Sequence, residues 1–411
     1  MKILVVSDRF APFHSGGAAR SAAELAHEYG RAGHEVVVAH GDPTGEAPHD
    51  GEVNGLRACW VDAPMGPRRR GRLSIRNPRA LEHLRRIVSD EKPDVAHAHN
   101  VHEAFSFAAL EVLAAAQVPT VLTLHDCMTF HQGKFVEIAR RAGWETDDRK
   151  LRVTALDLLR RYRFRYVPGR RRRIRAIIER SGACVVAASG LLRRALAANG
   201  VPCHAVIHNG IRAEEFRAEP KAVEELRTRL GLGGRRVVAT FGRLTREKGQ
   251  AQIVGAMRRL RRDVPEAVLL TVGTPPGVLP EGAPLVVGTE PLSGQELAAA
   301  YGLAEVVAVP SVCLDVFPTV ALEAMAAGRP VVVSCFAGTS EIVEDGETGL
   351  VVDPRDVGAL AEAVLKLLRD EAGAARMGEG AQELVEAQFT IERCAGRYLE
   401  LLDELVRSRS G

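Results

Sequence analysis

The chain has 411 residues, of which 46% are hydrophobic and 26% charged, with a formal net charge of +3. That length suits two domains of about 200 residues each, and the balance of apolar and charged residues excludes a disordered chain. A near-neutral total gives no whole-molecule argument for a polyanionic partner, and no apolar run approaches the ~20 residues that a transmembrane helix needs.

The first element, "KILVVS", is a continuous apolar run, as a parallel strand covered on both faces requires. It is too short for the apolar core of a signal peptide. A loop bearing Gly16 and Gly17 follows, then an Ala-rich helix from about Ala18 to Ala32. "HEVVVAH", "DVAHAH", "PTVLTLH" and "ACVVAAS" read as further strands, and "HAVIHNG" closes the series. The pattern then restarts. "RRVVATFGRLTREKG" is a strand, a Gly-bearing loop and a helix start, and "AVLLTVG", "LVVG", "AEVVAVPS" and "RPVVVS" continue it. This alternation predicts an α/β fold of two doubly wound Rossmann-like domains. The expected boundaries are 1–212, 213–384 and a C-terminal helix, 385–411, packing back on the first domain. The seam near 211–235 is charged and ends Gly-rich.

Seven cysteines, at 59, 127, 184, 203, 313, 335 and 394, form no CxxC pair and read as reduced thiols of a cytoplasmic protein. All thirteen histidines lie at or before His208, so the second half works without imidazole.

"DVFPTVALEAMAAGRPVVVS" carries the most chemistry. Its strand ends at Pro310 and a helix is expected from about Thr319 to just before Gly328. In doubly wound sheets ligands sit beyond the carboxyl ends of strands, where helix N-termini offer unpaired N–H groups to a phosphate. Pro318 fits at the helix entry, where a missing N–H costs little. Glu323, four residues after Thr319, shares its helix face and suits a diol such as a ribose. Asp315, in the loop before the helix, can hold hydroxyls of a second group.

Acid-x7-acid followed by "AMAAGRPVV" resembles the retaining glycosyltransferases of family 4, which have the GT-B fold, two Rossmann-like domains facing across a cleft. Four further segments resemble that family: the N-terminal "GG", "LTLHD" as its His-containing segment, "VIHNGI" as its Asn-Gly turn and "FGRLTREKG" as its Arg/Lys phosphate clamp. The resemblance implies transfer of a sugar from a nucleotide-diphosphate donor, a UDP- or GDP-sugar, to a glycan, lipid-linked or small-molecule acceptor held by the first domain. Arg243 and Lys248 then grip the diphosphate, whose growing negative charge is the main catalytic demand. His125 contacts the donor sugar, and Asp126 orients that ring or helps the acceptor. Donor-binding positions are Gly16, Gly17, Asn209, Gly242, Asp315, Phe317, Pro318, Thr319, Val320 and Glu323. No protein nucleophile is implied, since the departing phosphate itself takes the acceptor's proton on the same face. This sequence departs from the pattern twice. Asp315 is one methylene shorter than the more usual Glu, and Pro318 stands where Gly is frequent; both bear on the choice of donor sugar.

No Asp-x-Asp spacing occurs, which agrees with neutralisation by Arg and Lys; no metal or cofactor is expected. "HAHNVH" (His97, His99, His102) has the residue type of a metal site, but reads also as strand-end or acceptor-side histidines. Between Arg149 and Arg175 twelve Lys or Arg face one acid, Asp157, with Leu158, Leu159, Tyr162, Phe164 and Tyr166 interleaved. A second basic patch, "RRRGR", lies at 68–72. The larger stretch reads as an anionic-membrane surface, a solvated helix face or a site for another polyanion; no nucleic acid is expected. The chain is therefore expected in the cytoplasm, peripheral at the inner membrane face if that stretch meets lipid. An alternative function is a non-catalytic family member that binds nucleotide sugar or membrane. A dinucleotide oxidoreductase is disfavoured by the lack of GxGxxG after the first strand.

Overall fold

A computed structural model describes residues 1–13, 16–42, 50–62, 65, 66, 69–137, 147–275, 277 and 286–410. The chain forms two compact units, which divide after Gly210 and again after Thr390.

The first unit is built on strands β1 (Lys2–Ser7), β2 (Glu35–Asp42), β3 (Asp50–Val53), β4 (Leu56–Asp62), β5 (Val95–His99), β6 (Thr120–Leu124), β7 (Cys184–Ala187) and β8 (Ala205–Val206). They form one sheet in the order β3-β4-β2-β1-β5-β6-β7-β8. All pairs are parallel except the β3–β4 hairpin. The apolar runs are explained by burial on both faces: Ile3, Val5, Val38, Val95, Val121 and Val186 share a core with Ala22, Leu25, Ala26 and Tyr29 of the helix Gly17–Arg31. The last helix, Ile391–Ser410, is part of this unit and buries Ile391, Ala395, Tyr398 and Leu402 in the same core. A buried polar relay ties it down. His97 Nδ1 meets Tyr29 Oη at 2.8 Å, His97 Nε2 meets Thr123 Oγ1 at 2.8 Å, and Thr123 Oγ1 donates to Tyr398 Oη at 3.0 Å.

The second unit holds β9 (Arg236–Phe241), β10 (Ala267–Val272), β11 (Val286–Thr289), β12 (Val306–Val309), β13 (Val331–Ser334) and β14 (Leu350–Val352). Their order is β11-β10-β9-β12-β13-β14, all parallel. Val238, Leu269, Val306 and Val332 pack beneath the helices Gln250–Leu260 and Val357–Arg369. Both sheets thus have the doubly wound order in which β1 and β9 lie centrally and neighbouring strands run outward in both directions.

The structure refines three sequence expectations. "HAVIHNG" shrinks to the two-residue strand β8. The charged seam folds with the second unit: its 3-10 turn Ala213–Phe216 and helix Pro220–Arg229 are part of it, with Phe216 and Leu226 buried. The helix Glu371–Gln388, which a boundary at 385 would cut, stays whole in that unit.

Candidate functional site

In the second unit the candidate residues gather at the carboxyl ends of β9, β12 and β13. The helix Thr319–Ala326 follows β12 through a loop and has Pro318 as its N-cap at φ −69°, so proline takes the entry position without costing an intrahelical bond. Asp315 is pinned in that loop by backbone bonds: its N–H donates to Phe336 O at 3.2 Å and its carbonyl accepts from Gly338 N–H at 2.8 Å. The residue is 5% exposed. Asp315 Oδ2 accepts from Lys248 Nζ at 2.5 Å and from Ser311 Oγ at 2.6 Å. Asp315 therefore aims Lys248.

Lys248 is held from its own side as well. Val312 N–H donates to Glu247 O at 2.9 Å, and Gly249 sits at φ +83° with its Cα hard against the end of β12. A Cβ there would lie 2.0 Å from Pro310 O. Gly249→Ala is expected to cost about 2–4 kcal/mol, from left-handed backbone strain plus overlap with backbone that cannot yield, and to displace Lys248. A urea melt of the variant checks it. Arg243 lies in the loop after β9, exposed, and among the described residues its guanidinium makes no ion pair. The loop is shaped by Gly242 at φ +79° and by Thr274, whose Oγ1 accepts from Leu244 N–H at 2.7 Å and donates to Gly242 O at 3.0 Å.

Glu323 is 8% exposed and satisfied by hydroxyls on both oxygens: Tyr301 Oη donates to Oε2 at 2.6 Å and Thr319 Oγ1 to Oε1 at 3.0 Å. Tyr301 is fully buried and stacks on Phe241, ring centroids 3.7 Å apart. Each carboxylate oxygen keeps a second lone pair for an incoming hydroxyl. Phe317 is buried, whereas Pro318, Thr319 and Val320 are half-buried around the helix tip. Two carboxylates, a lysine and the free N–H groups of a helix start are thus brought to one end of one sheet.

In the first unit Gly16, at φ +122°, caps the helix Gly17–Arg31, and both glycines are exposed. Asn209 is buried, with Oδ1 3.4 Å from Ser21 Oγ on that helix. His125 and Asp126 follow β6 and take different hydrogen-bonding neighbours. The His125 ring meets His99, Nε2 to Nδ1 at 3.1 Å, and the His125 backbone N–H donates to Asn100 Oδ1 at 3.0 Å. Asp126 instead faces His102, whose Nε2 lies 2.9 Å from Oδ2, and it accepts from Met128 N–H at 2.9 Å. The reason is local. Asp126 turns back over its own loop, while the chain after β5 presents His102. That stretch is fixed by Asp8, whose carboxylate accepts the N–H groups of His102, Glu103, Ala104 and Phe105 at 2.5–3.0 Å. Burial opposes ionisation of Asp126, yet His102, Lys134 and the Met128 N–H together outweigh it and hold the carboxyl well below the usual range. Glu103 is likewise pushed up by burial but brought down to about 2 by Lys134 and Arg70.

Burial lowers His97 to about 3 and His125 to about 4. Both rings are therefore neutral at working pH and suited to hydrogen bonding rather than to charge neutralisation. The three "HAHNVH" imidazoles turn to three different partners, Tyr29 and Thr123, His125, and Asp126. Among the described residues no group of three His, Cys, Asp or Glu is arranged to hold a metal ion. A depressed histidine binds its proton more weakly folded than unfolded. Its contribution is thus complete above about pH 6.5 and falls on acidification, by about 1.4 kcal/mol per pH unit for each such group, down to its folded value. Urea melts at pH 7 and pH 5 should show that loss, reduced in His97→Gln.

Two family models match the chain in succession. Glycosyltransferase Family 4 covers residues 15–215 and Glycosyl transferases group 1 covers 222–384. The chain belongs to the family 4, group 1 glycosyltransferases. A GDP-mannose-dependent alpha-(1-6)-phosphatidylinositol monomannoside mannosyltransferase of Mycobacterium tuberculosis is 37% identical over 211 residues, 47% of this chain and 54% of that protein, so the match spans about half the relative's length. A glycogen synthase of the same species is 29% identical over 96% of this chain and 92% of its own. The solved sucrose-phosphate synthase of Thermosynechococcus elongatus matches with a TM-score of 0.76 and 23% identity over 99% of both chains, which carries the GT-B fold class.

In this family member the sequence pointed to Arg243, Lys248, Asp315 and Glu323 but not to all the groups around them. Tyr301, Thr274 and, in the first unit, Asp8 carried no spacing signal, because each meets its partner through the fold; Ser311, four residues before Asp315, was passed over.

Proposed function

We propose that this protein is a retaining, metal-independent glycosyltransferase that takes a UDP- or GDP-sugar and passes the sugar to a glycan or lipid-linked acceptor. The observation that supports this most is the pairing of Lys248 with Asp315 at 2.5 Å beside the tip of the helix that carries Glu323. Lys248, Arg243 and the helix N-terminus stabilise the diphosphate as it leaves. Glu323 accepts the hydroxyls of the ribose, and Asp315 both positions Lys248 and faces the sugar. Phe317, Pro318, Thr319, Val320 and Gly242 shape the donor's surroundings. In the first unit Gly16 and Gly17 permit close backbone approach, Asn209 supports their helix, and neutral His125 hydrogen-bonds a sugar hydroxyl. Asp126, held by His102, serves the acceptor side.

In the reaction the bond from the anomeric carbon to the diphosphate oxygen breaks. The acceptor oxygen bonds to that carbon on the same face, and its proton passes to the departing diphosphate. This chemistry places the protein in the cytoplasm, where nucleotide sugars are made, with 149–175 toward an anionic membrane. Incubation with labelled UDP- and GDP-sugars and acceptor extracts tests it. Release of the nucleoside diphosphate with a product of the donor's anomeric configuration, unaffected by a chelator, is expected. Donor binding without turnover of any sugar would instead indicate a non-catalytic binder.

A further inference from the structure

Among the described residues, the large hydrophobic side chains left exposed are Phe13, Leu156, Leu159 and Phe164, and three of these four lie within one nine-residue span of the basic stretch. The helix Ala155–Tyr162 is secured at its start by a capping box, in which Thr154 Oγ1 accepts from Asp157 N–H at 3.1 Å and Asp157 Oδ2 from Thr154 N–H at 2.9 Å. Leu158 is buried and Tyr162 half-buried against His131, so one helix face is already used by the fold. The opposite face, Leu156, Leu159, Arg160 and Arg163, is exposed at helical spacing. Phe164, 90% exposed, crowns the 3-10 turn that follows, with the Arg165 guanidinium 5.7 Å from its ring centre. In the same basic stretch, Arg152, Arg171, Arg172 and Arg175 line an open cavity of about 430 Å³ with no acid in its wall. Arg171 is anchored there by Val153 O at 2.7 Å and Asn199 Oδ1 at 2.9 Å.

A solvated helix face explains the arginines but not a phenylalanine and two leucines raised among them. A nucleic acid would use the charge and leave the two leucines idle. We propose that residues 155–165 are a membrane-docking element, in which Leu156, Leu159 and Phe164 enter the headgroup–acyl boundary of an anionic bilayer and the surrounding arginines, including the Arg152–Arg171–Arg172–Arg175 cavity, take lipid phosphates. The face is short and monotopic: no described helix is long and apolar enough to cross a membrane. Each basic side chain near an anionic surface contributes favourably and is screened by salt, while the apolar wedge is not. The inference gives the lipid-linked reading of the acceptor a physical site, and rests on it only for its purpose, because docking needs no donor.

Cosedimentation of the full chain with vesicles of phosphatidylcholine alone, and with phosphatidylglycerol added, tests it. The wild type should bind the anionic vesicles at least tenfold more tightly than the neutral ones. The triple variant Leu156→Ser/Leu159→Ser/Phe164→Ser should lose at least tenfold on anionic vesicles, and Arg160→Gln/Arg163→Gln/Arg165→Gln likewise, the latter deficit shrinking at high salt. All six side chains are exposed, so both variants should keep the wild-type melting temperature and donor binding. Absence of wild-type binding to anionic vesicles would overturn the proposal. So would serine-variant binding equal to wild type, or equal retention of both on RNA, which would indicate a general polyanion surface. Loss of vesicle binding leaves donor turnover readable in detergent-free solution, so the two readings fail separately.

Discussion

Lys248→Ala is expected to lower kcat for sugar transfer by about 10²–10³, the range for removing one preorganised group aimed at charge that develops in the transition state. The expectation follows from placement rather than charge alone. Lys248 is fixed by Asp315 at 2.5 Å, by the backbone tie from Val312 to Glu247 and by the Gly249 contact with Pro310, so it spends little ordering energy on meeting a diphosphate. The same substitution strips Asp315 of its cation and should cost ~1–3 kcal/mol of fold stability. The two effects separate in a double variant. Lys248→Ala/Asp315→Asn should regain most of the stability in a urea melt and none of the turnover. Lys248→Arg should recover only part of the rate, because a planar fork does not replace a compact ammonium beside the Ser311–Asp315 pair.

Glu323→Ala is expected to weaken donor binding roughly 10- to 100-fold, as loss of charged hydrogen bonds worth about 1.5–3 kcal/mol predicts. Here too the structure adds a second cost. Tyr301 Oη and Thr319 Oγ1 both donate to Glu323, and Tyr301 is fully buried, so truncation takes an acceptor from a buried hydroxyl. Tyr301→Phe leaves the carboxylate and removes one of its supports. It should therefore raise the donor dissociation constant by less than Glu323→Ala does, while leaving Phe241 stacking intact. Titration calorimetry on the three proteins gives the order directly.

Both effects depend on residues that were only partly legible in the sequence. The strand–loop–helix alternation, the restart at "RRVVATF" and the helix from Thr319 could be read because each is a local pattern of burial and turn chemistry. The pairing of Thr319 with Glu323 was legible because they lie four residues apart on one helix face, and the structure joins them at 3.0 Å. What escaped was non-local. Tyr301 reaches Glu323 from a preceding helix, and Asp126 chose His102 over the adjacent His125 because the β5 loop, held by Asp8, delivers that ring. One local signal was also passed over. Asn54 and Gly55, at φ +50° and +78°, form the two-residue turn of the β3–β4 hairpin, and Asn-Gly between short apolar runs is a hairpin signature. The three-residue β14 is too short to leave a pattern.

The central claim is that the end of the second sheet bearing Arg243, Lys248, Asp315 and Glu323 holds a nucleotide sugar's diphosphate without a metal. Calorimetric titration of UDP-, GDP- and ADP-sugars in the presence of a chelator tests it most directly. Saturable binding of at least one of these is predicted, weakened at least tenfold in Lys248→Ala and Glu323→Ala. Binding that vanishes with the chelator, or that is unchanged in both variants, would contradict it.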